Sequence, residues 1–131
     1  SFVSSFLGKS NMFPGSVESV SDGEVLVQTP ALVLEACLPD TTPRPSAGMP
    51  VFCSVRPEKV RLVKAGEGRL AGTVEARIFL GNHWVFQIAT DLGTVTVVSQ
   101  NTGEEAVAED DRVGLDWTAR EVRVLRREET P

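Results

Sequence analysis

The sequence contains no tyrosine, one histidine and two cysteines, and only 6% of its residues are aromatic. His83 is the lone imidazole, and its neighbours in an apolar run leave no Ser/His/Asp or Cys/His arrangement to argue for. The same scarcity argues against a zinc site, which needs clustered Cys and His ligands. No apolar run approaches the length that crosses a bilayer, and no signal peptide opens the sequence. Basic charge is in deficit: 13 Lys and Arg stand against 18 Asp and Glu, a net charge of −5. That balance argues against gripping nucleic acid by neutralising phosphates and leaves protein partners open. Cys37 and Cys53 each sit in an apolar strand-like run. They read as small buried hydrophobes of a reducing compartment rather than a disulfide.

What remains is an ordinary globular composition, 41% hydrophobic and 24% charged over 131 residues, enough for one domain or two very small ones. Residues 1–8 place Phe2, Val3, Phe6 and Leu7 at helical spacing, with Gly8 as a C-cap, which predicts a short N-terminal helix. Thereafter the period changes to that of strands. Strand candidates run over 13–20 (with Pro14-Gly15 as an early break), 24–28, 31–37, 51–55, 60–63, 70–80, 83–90, 94–99, 112–117 and 121–125. Asp22-Gly23, Gly81-Asn82 and 91–93 turn the chain. Residues 38–50 hold four prolines and read as a loop. Residues 65–68 read as a flexible break between two halves. The pattern predicts an all-β barrel or sandwich. The pairs 51–55 with 60–63 and 113–117 with 122–125 echo each other across a polar loop, a weak sign of two similar units.

The most distinctive stretch is 51–63, where two apolar runs flank Arg56-Pro57-Glu58. Pro57 fixes its own φ and drives Arg56 to extended geometry, so Glu58 and Lys59 can begin a single helical turn. The turn holds Arg56 and Glu58 at set positions, either as a corner with a local ion pair or as a charged knob for another domain. Its expected strength lies in Arg56 forking onto buried carbonyls or a carboxylate. Trp84 and Trp117 read as core residues, or as anchors of an interface. Gly8-Lys9-Ser10 imitates the end of a phosphate-binding loop, but Val3 stands where the pattern needs its first glycine, and the strand-before, helix-after context is missing. The acidic cluster at 104–111 lacks the ligand alternation of a calcium loop and reads as solvated.

In this order the segments resemble a family. Residues 2–11, Phe-Val-Ser-Ser-Phe-Leu-Gly-Lys-Ser-Asn, resemble the junction that follows the ATPase domain in ATP-binding subunits of ABC importers. Residues 55–60, Val-Arg-Pro-Glu-Lys-Val, are similar to the signature turn of the transport-associated OB domain after that junction. Leu80-Gly81-Asn82 and 94–99 resemble its second half, and 113–117 through Val124 its closing strands, most like spermidine/putrescine-type importers. The proline-rich loop 38–50 has no counterpart in that resemblance, and the ATPase motifs are missing.

The resemblance implies an OB-like β-barrel of tandem or intertwined small β units, with residues 1–11 as junction helix and 12–131 as the domain, broken near 65–69. It implies a non-catalytic regulatory and dimerising domain with no cofactor of its own, ATP and Mg belonging to the absent ATPase domain. The implied partners are a second copy of the subunit, its own ATPase domain and the membrane permease subunits, without nucleic acid. The implied place is cytoplasmic, peripheral on the inner face of the plasma membrane. Arg56, Pro57, Glu58 and Trp84 are the expected interface and turn residues. Two other readings stay open: a barrel that binds a small oxyanion such as molybdate, which would want backbone N–H nests and basic residues, and an oligonucleotide-binding OB module, which would want aromatics interleaved with Lys and Arg.

Overall fold

The computed structural model describes residues 10–38, 44–100 and 107–126. The expected helix at 1–8 lies outside them. The described residues form ten strands: β1 (Asn11–Ser21), β2 (Glu24–Gln28), β3 (Val33–Cys37), β4 (Pro50–Val55), β5 (Arg61–Lys64), β6 (Leu70–Phe79), β7 (His83–Thr90), β8 (Gly93–Gln100), β9 (Arg112–Asp116) and β10 (Val122–Arg126). Two short 3₁₀ turns, Pro57–Lys59 and Ala119–Glu121, complete the set. The all-β expectation is met.

The strands form two antiparallel sheets, ordered β10-β4-β1-β2-β3 and β5-β9-β6-β7-β8. They belong to two compact units, one holding Asn11–Val55 and the residues from Thr118 onward, the other holding Arg56–Trp117. By their nesting along the sequence alone, we call these the outer and the inner unit. In the outer unit the alternation is clean: Val25 and Val27 on β2, and Leu34 and Ala36 on β3, are all fully buried while their neighbours face out. In the inner unit Val74, Ile88, Val95, Val97 and Leu115 make the corresponding core. Each sheet curls until its ends meet, β10 against β3 and β5 against β8.

The two sheets are copies of one plan. β1, β2, β3 and β4 in the outer unit correspond to β6, β7, β8 and β9 in the inner. The fifth strands are exchanged: β5 follows β4 in sequence yet pairs with β9, and β10 follows β9 yet pairs with β4. The local details repeat. Gly15-Ser16-Val17-Glu18 and Gly72-Thr73-Val74-Glu75 both carry a bulge, where the register slips between Val17 and Ser19 and between Val74 and Ala76. At each bulge the chain is tied to a later loop. Val17 N–H donates to the Met49 carbonyl at 2.9 Å and Val74 N–H to the Asp111 carbonyl at 2.9 Å. Gly48 N–H and Asp110 N–H return the bond at 2.7 and 2.8 Å. Gly15 and Gly72 leave no room for a Cβ, which would press on the backbone and side chains of β2 and of β7 respectively.

Three expectations change. Pro14-Gly15 does not break the first strand. β2 joins β1 only from Ser16, so Pro14 sits where β1 has β4 alone as neighbour and its missing N–H does no harm. Residues 65–68 do not divide the halves, because β5 and β6 on either side both pair with β9. The chain changes unit at Val55/Arg56 and Trp117/Thr118 instead. Cys37 is exposed, one residue past inward-facing Ala36, whereas Cys53 is buried; both thiols are free. Burial pushes the Cys53 thiol up from the ordinary 9.0 to about 12.

Candidate interaction surface

The chain enters the inner unit through Arg56-Pro57-Glu58-Lys59. Arg56 is extended, φ −69° and ψ 143°, as a residue before proline should be, and Pro57 opens the 3₁₀ turn. Lys59 N–H donates to the Arg56 carbonyl at 2.9 Å, and Val60 N–H closes on the Pro57 carbonyl at 3.4 Å. Pro57 is buried and the turn packs on β8. The flanking Arg56, Glu58 and Lys59 are exposed. The expected fork of Arg56 onto buried acceptors is not there: among the described residues its side chain has no hydrogen bond or ion pair.

The second crossing, at Thr118, is the same turn built differently. Thr118 and Glu121 form a capping box, with the Thr118 N–H donating to Glu121 Oε1 at 3.1 Å. There the side chains secure the backbone. In the first turn a buried proline does so, and among the described residues the Arg56 and Glu58 side chains make no hydrogen bond or ion pair.

Trp84 lies elsewhere in the inner unit, on the β6–β7 hairpin. It pairs across the strands with Phe79, ring centroids 4.8 Å apart, and stacks on Phe86 at 6.2 Å. The Arg77 guanidinium lies 5.1 Å from its ring centre and donates to the Val107 carbonyl at 3.0 Å. Phe86 is core, Trp84 is half-buried, and the end of the hairpin is open: Ile78, Phe79 and Leu80 are 41%, 45% and 40% exposed. Three consecutive exposed apolar residues are more than a folded surface ordinarily carries, which makes this tip a candidate contact surface. The hairpin closes with Gly81 at φ 90°, the Leu80 N–H donating to the His83 carbonyl at 2.8 Å, and His83 Nδ1 sits 2.7 Å from Asn82 Oδ1. Among the described residues no hydrogen bond, ion pair or ring contact joins this tip to the Arg56–Glu58 turn.

Sequence reasoning had Trp84 but missed its setting. The signal was present in Arg77-Ile78-Phe79-Leu80, a run too apolar for the turn it precedes. It also missed Arg69, whose Nε donates to the Trp117 carbonyl at 2.8 Å and lies 3.3 Å from Asp116 Oδ1, with Arg61 Nη2 at 3.4 Å from the other oxygen. These groups pin the end of β9 and offer no site.

Among the described residues no group of three or more His, Cys, Asp and Glu is placed to hold a metal, and no helix is long and apolar enough to cross a membrane. The exposed features that stand out among the described residues are the charged turn at 56–59 and the apolar hairpin tip at 78–80.

The chain is 34% identical over 127 residues to the spermidine/putrescine import ATP-binding protein PotA of Rubrobacter xylanophilus, an alignment covering 95% of this chain and 33% of that protein. It is 29% identical over 97 residues to the Fe(3+) ions import ATP-binding protein FbpC of Brucella suis, covering 74% of this chain and 26% of that one. The chain thus spans a third or less of the curated relatives it matches. In fold it is similar to the cytoplasmic molybdate-binding protein ModG in its molybdate-bound form, with a TM-score of 0.77 and 19% identity, covering 92% of this chain and 98% of that one. The TOBE domain matches residues 53–125, from the core of β4 through both 3₁₀ turns into β10, and the chain belongs to the TOBE domain family.

Proposed function

We propose that this chain is the regulatory and pairing domain of the ATP-binding subunit of an ABC importer for a small solute of polyamine or related kind. The observation that carries the reading is the relation to PotA along 95% of the chain, and the TOBE domain match supports it. On this reading the nucleotide and Mg²⁺ sit in the ATPase domain of the parent subunit, and this chain's residues do not fit them. Val3 occupies the place of the phosphate loop's first glycine. The partners are that ATPase domain, a second copy of the subunit and the permease subunits, with the domain on the cytoplasmic face. Arg56 and Glu58, presented by Pro57, and Trp84 on its hairpin are the proposed contact residues.

The test is a reconstituted importer whose parent subunit lacks residues 12–131. The remaining ATPase domain is expected to keep hydrolysing ATP while solute uptake per ATP falls. Uptake unchanged by the deletion would overturn the reading. Competition by spermidine, putrescine and Fe(3+) in the same vesicles identifies the solute class. A small-oxyanion barrel is the alternative, prompted by the fold likeness to ModG. The net charge of −5 speaks against it, and a calorimetric titration with molybdate is expected to give no saturable heat.

A further inference from the structure

The internal duplication supplies a control for the β6–β7 hairpin. The matching hairpin of the outer unit runs Ser21, Asp22-Gly23, Glu24, with Ser21 paired to Glu24. In the inner unit Ile78 pairs with Val85 at the equivalent step, and residues 79–84, Phe-Leu-Gly-Asn-His-Trp, stand where the other copy has Asp-Gly. A hairpin on this plan closes without the extension. The fold therefore does not require Phe79, Leu80 or Trp84 at that place, yet the sequence puts Phe79 and Leu80 there exposed, with half-buried Trp84 beneath them.

Charge indicates what they meet. From Ala76 to Thr90 there is no acidic residue, only Arg77 and His83, in a chain of net charge −5. The turn beside this hairpin is the opposite: Glu109 and Asp110 are exposed. It is held next to the hairpin by the Arg77–Val107 bond and by the paired bonds between Val74 and residues 110 and 111. An acid-free aromatic tip and an acidic turn side by side on one molecule suit a two-fold arrangement, in which each tip meets the other copy's acidic turn.

We propose that a second copy of this chain docks isologously through residues 79–84, with Arg77 of each copy facing Glu109 and Asp110 of the other. The inference rests on the reading of the chain as a pairing domain and names the surface that pairs. The apolar area at the tip is small, so the dimer of the isolated chain is weak and concentration-dependent.

The experiment is sedimentation of residues 1–131 over a concentration series at low and at physiological ionic strength, with circular dichroism to verify the fold. The variants are a graft replacing 79–84 by Asp-Gly, the single change Phe79→Asp, Arg77→Glu, and Arg77→Glu with Glu109→Arg. The wild type is expected to dimerise more weakly as salt rises. The graft and Phe79→Asp are expected to weaken it by about tenfold or more. Arg77→Glu is expected to weaken it and the double variant to recover it. A wild type that stays monomeric at low salt overturns the inference, as does a dimer indifferent to both the graft and Phe79→Asp. The importer deletion reports on the pairing role separately: uptake lost there while these variants dimerise normally means that only the choice of surface was wrong.

Discussion

Cys53 is the residue whose chemistry the fold changes most. Its thiol is buried on β4 and pushed up to about 12. A group whose folded pKa is raised contributes stability that is fully present below its unfolded value and is lost as pH climbs through the folded one. Denaturation midpoints should therefore fall between pH 9.0 and about 12, and the decline should be shallower in Cys53→Ala. A thiol reagent at neutral pH should label Cys37 in the native protein and Cys53 only after unfolding. The sequence placed both cysteines inside; parity along β3 decides otherwise for Cys37, and one residue of register is more than a single apolar run can reveal. Arg56 teaches a related lesson. A proline-flanked arginine suggested directed bonds to buried acceptors, but the structure leaves it exposed. Urea denaturation of Arg56→Ala should show a loss under about 0.5 kcal/mol, the range of ordinary surface changes. A loss above about 1 kcal/mol would mean that the turn depends on it after all.

At the scale of elements, the bulged strands β1 and β6 bear the architecture. Each serves two neighbours in succession: β1 pairs with β4 through its first half and β2 through its second, and β6 pairs with β9 at its start and β7 along its length. Gly72→Ala should cost about 1–3 kcal/mol with an unchanged urea m-value, because a Cβ there would overpack Ile88 and the Ala89 carbonyl. Gly15→Ala should behave alike. Arg69→Ala should cost about 1–2 kcal/mol, since the Trp117 carbonyl loses its donor. Asp116→Asn should cost at most about 1 kcal/mol, its ion pairs being part-exposed. Most strands were legible from alternation, and so was the helical turn at Pro57, where proline geometry leaves few choices. Their partners were not. Periodicity says that a segment is a strand and which face is apolar, but the exchange of β5 and β10 depends on where each 3₁₀ turn sends the chain.

The whole molecule is one plan written twice, and the echo of 51–63 in 113–125 was its visible trace in the sequence. The rest of the duplication stayed hidden because matching places carry different residues: proline against alanine at the crossings, and Asp-Gly against an aromatic extension at the hairpin tips. Those differences are the basis of the functional account, in which one copy's surfaces are spent on the fold and the other's are left for partners. The central claim is that the chain is the non-catalytic part of an ATP-binding subunit. Equilibrium dialysis of labelled ATP against the 131-residue chain and against its full-length parent, side by side, tests it most directly. The account predicts stoichiometric binding to the parent and none to the chain alone. Stoichiometric binding by the chain, or none by the parent, would contradict it.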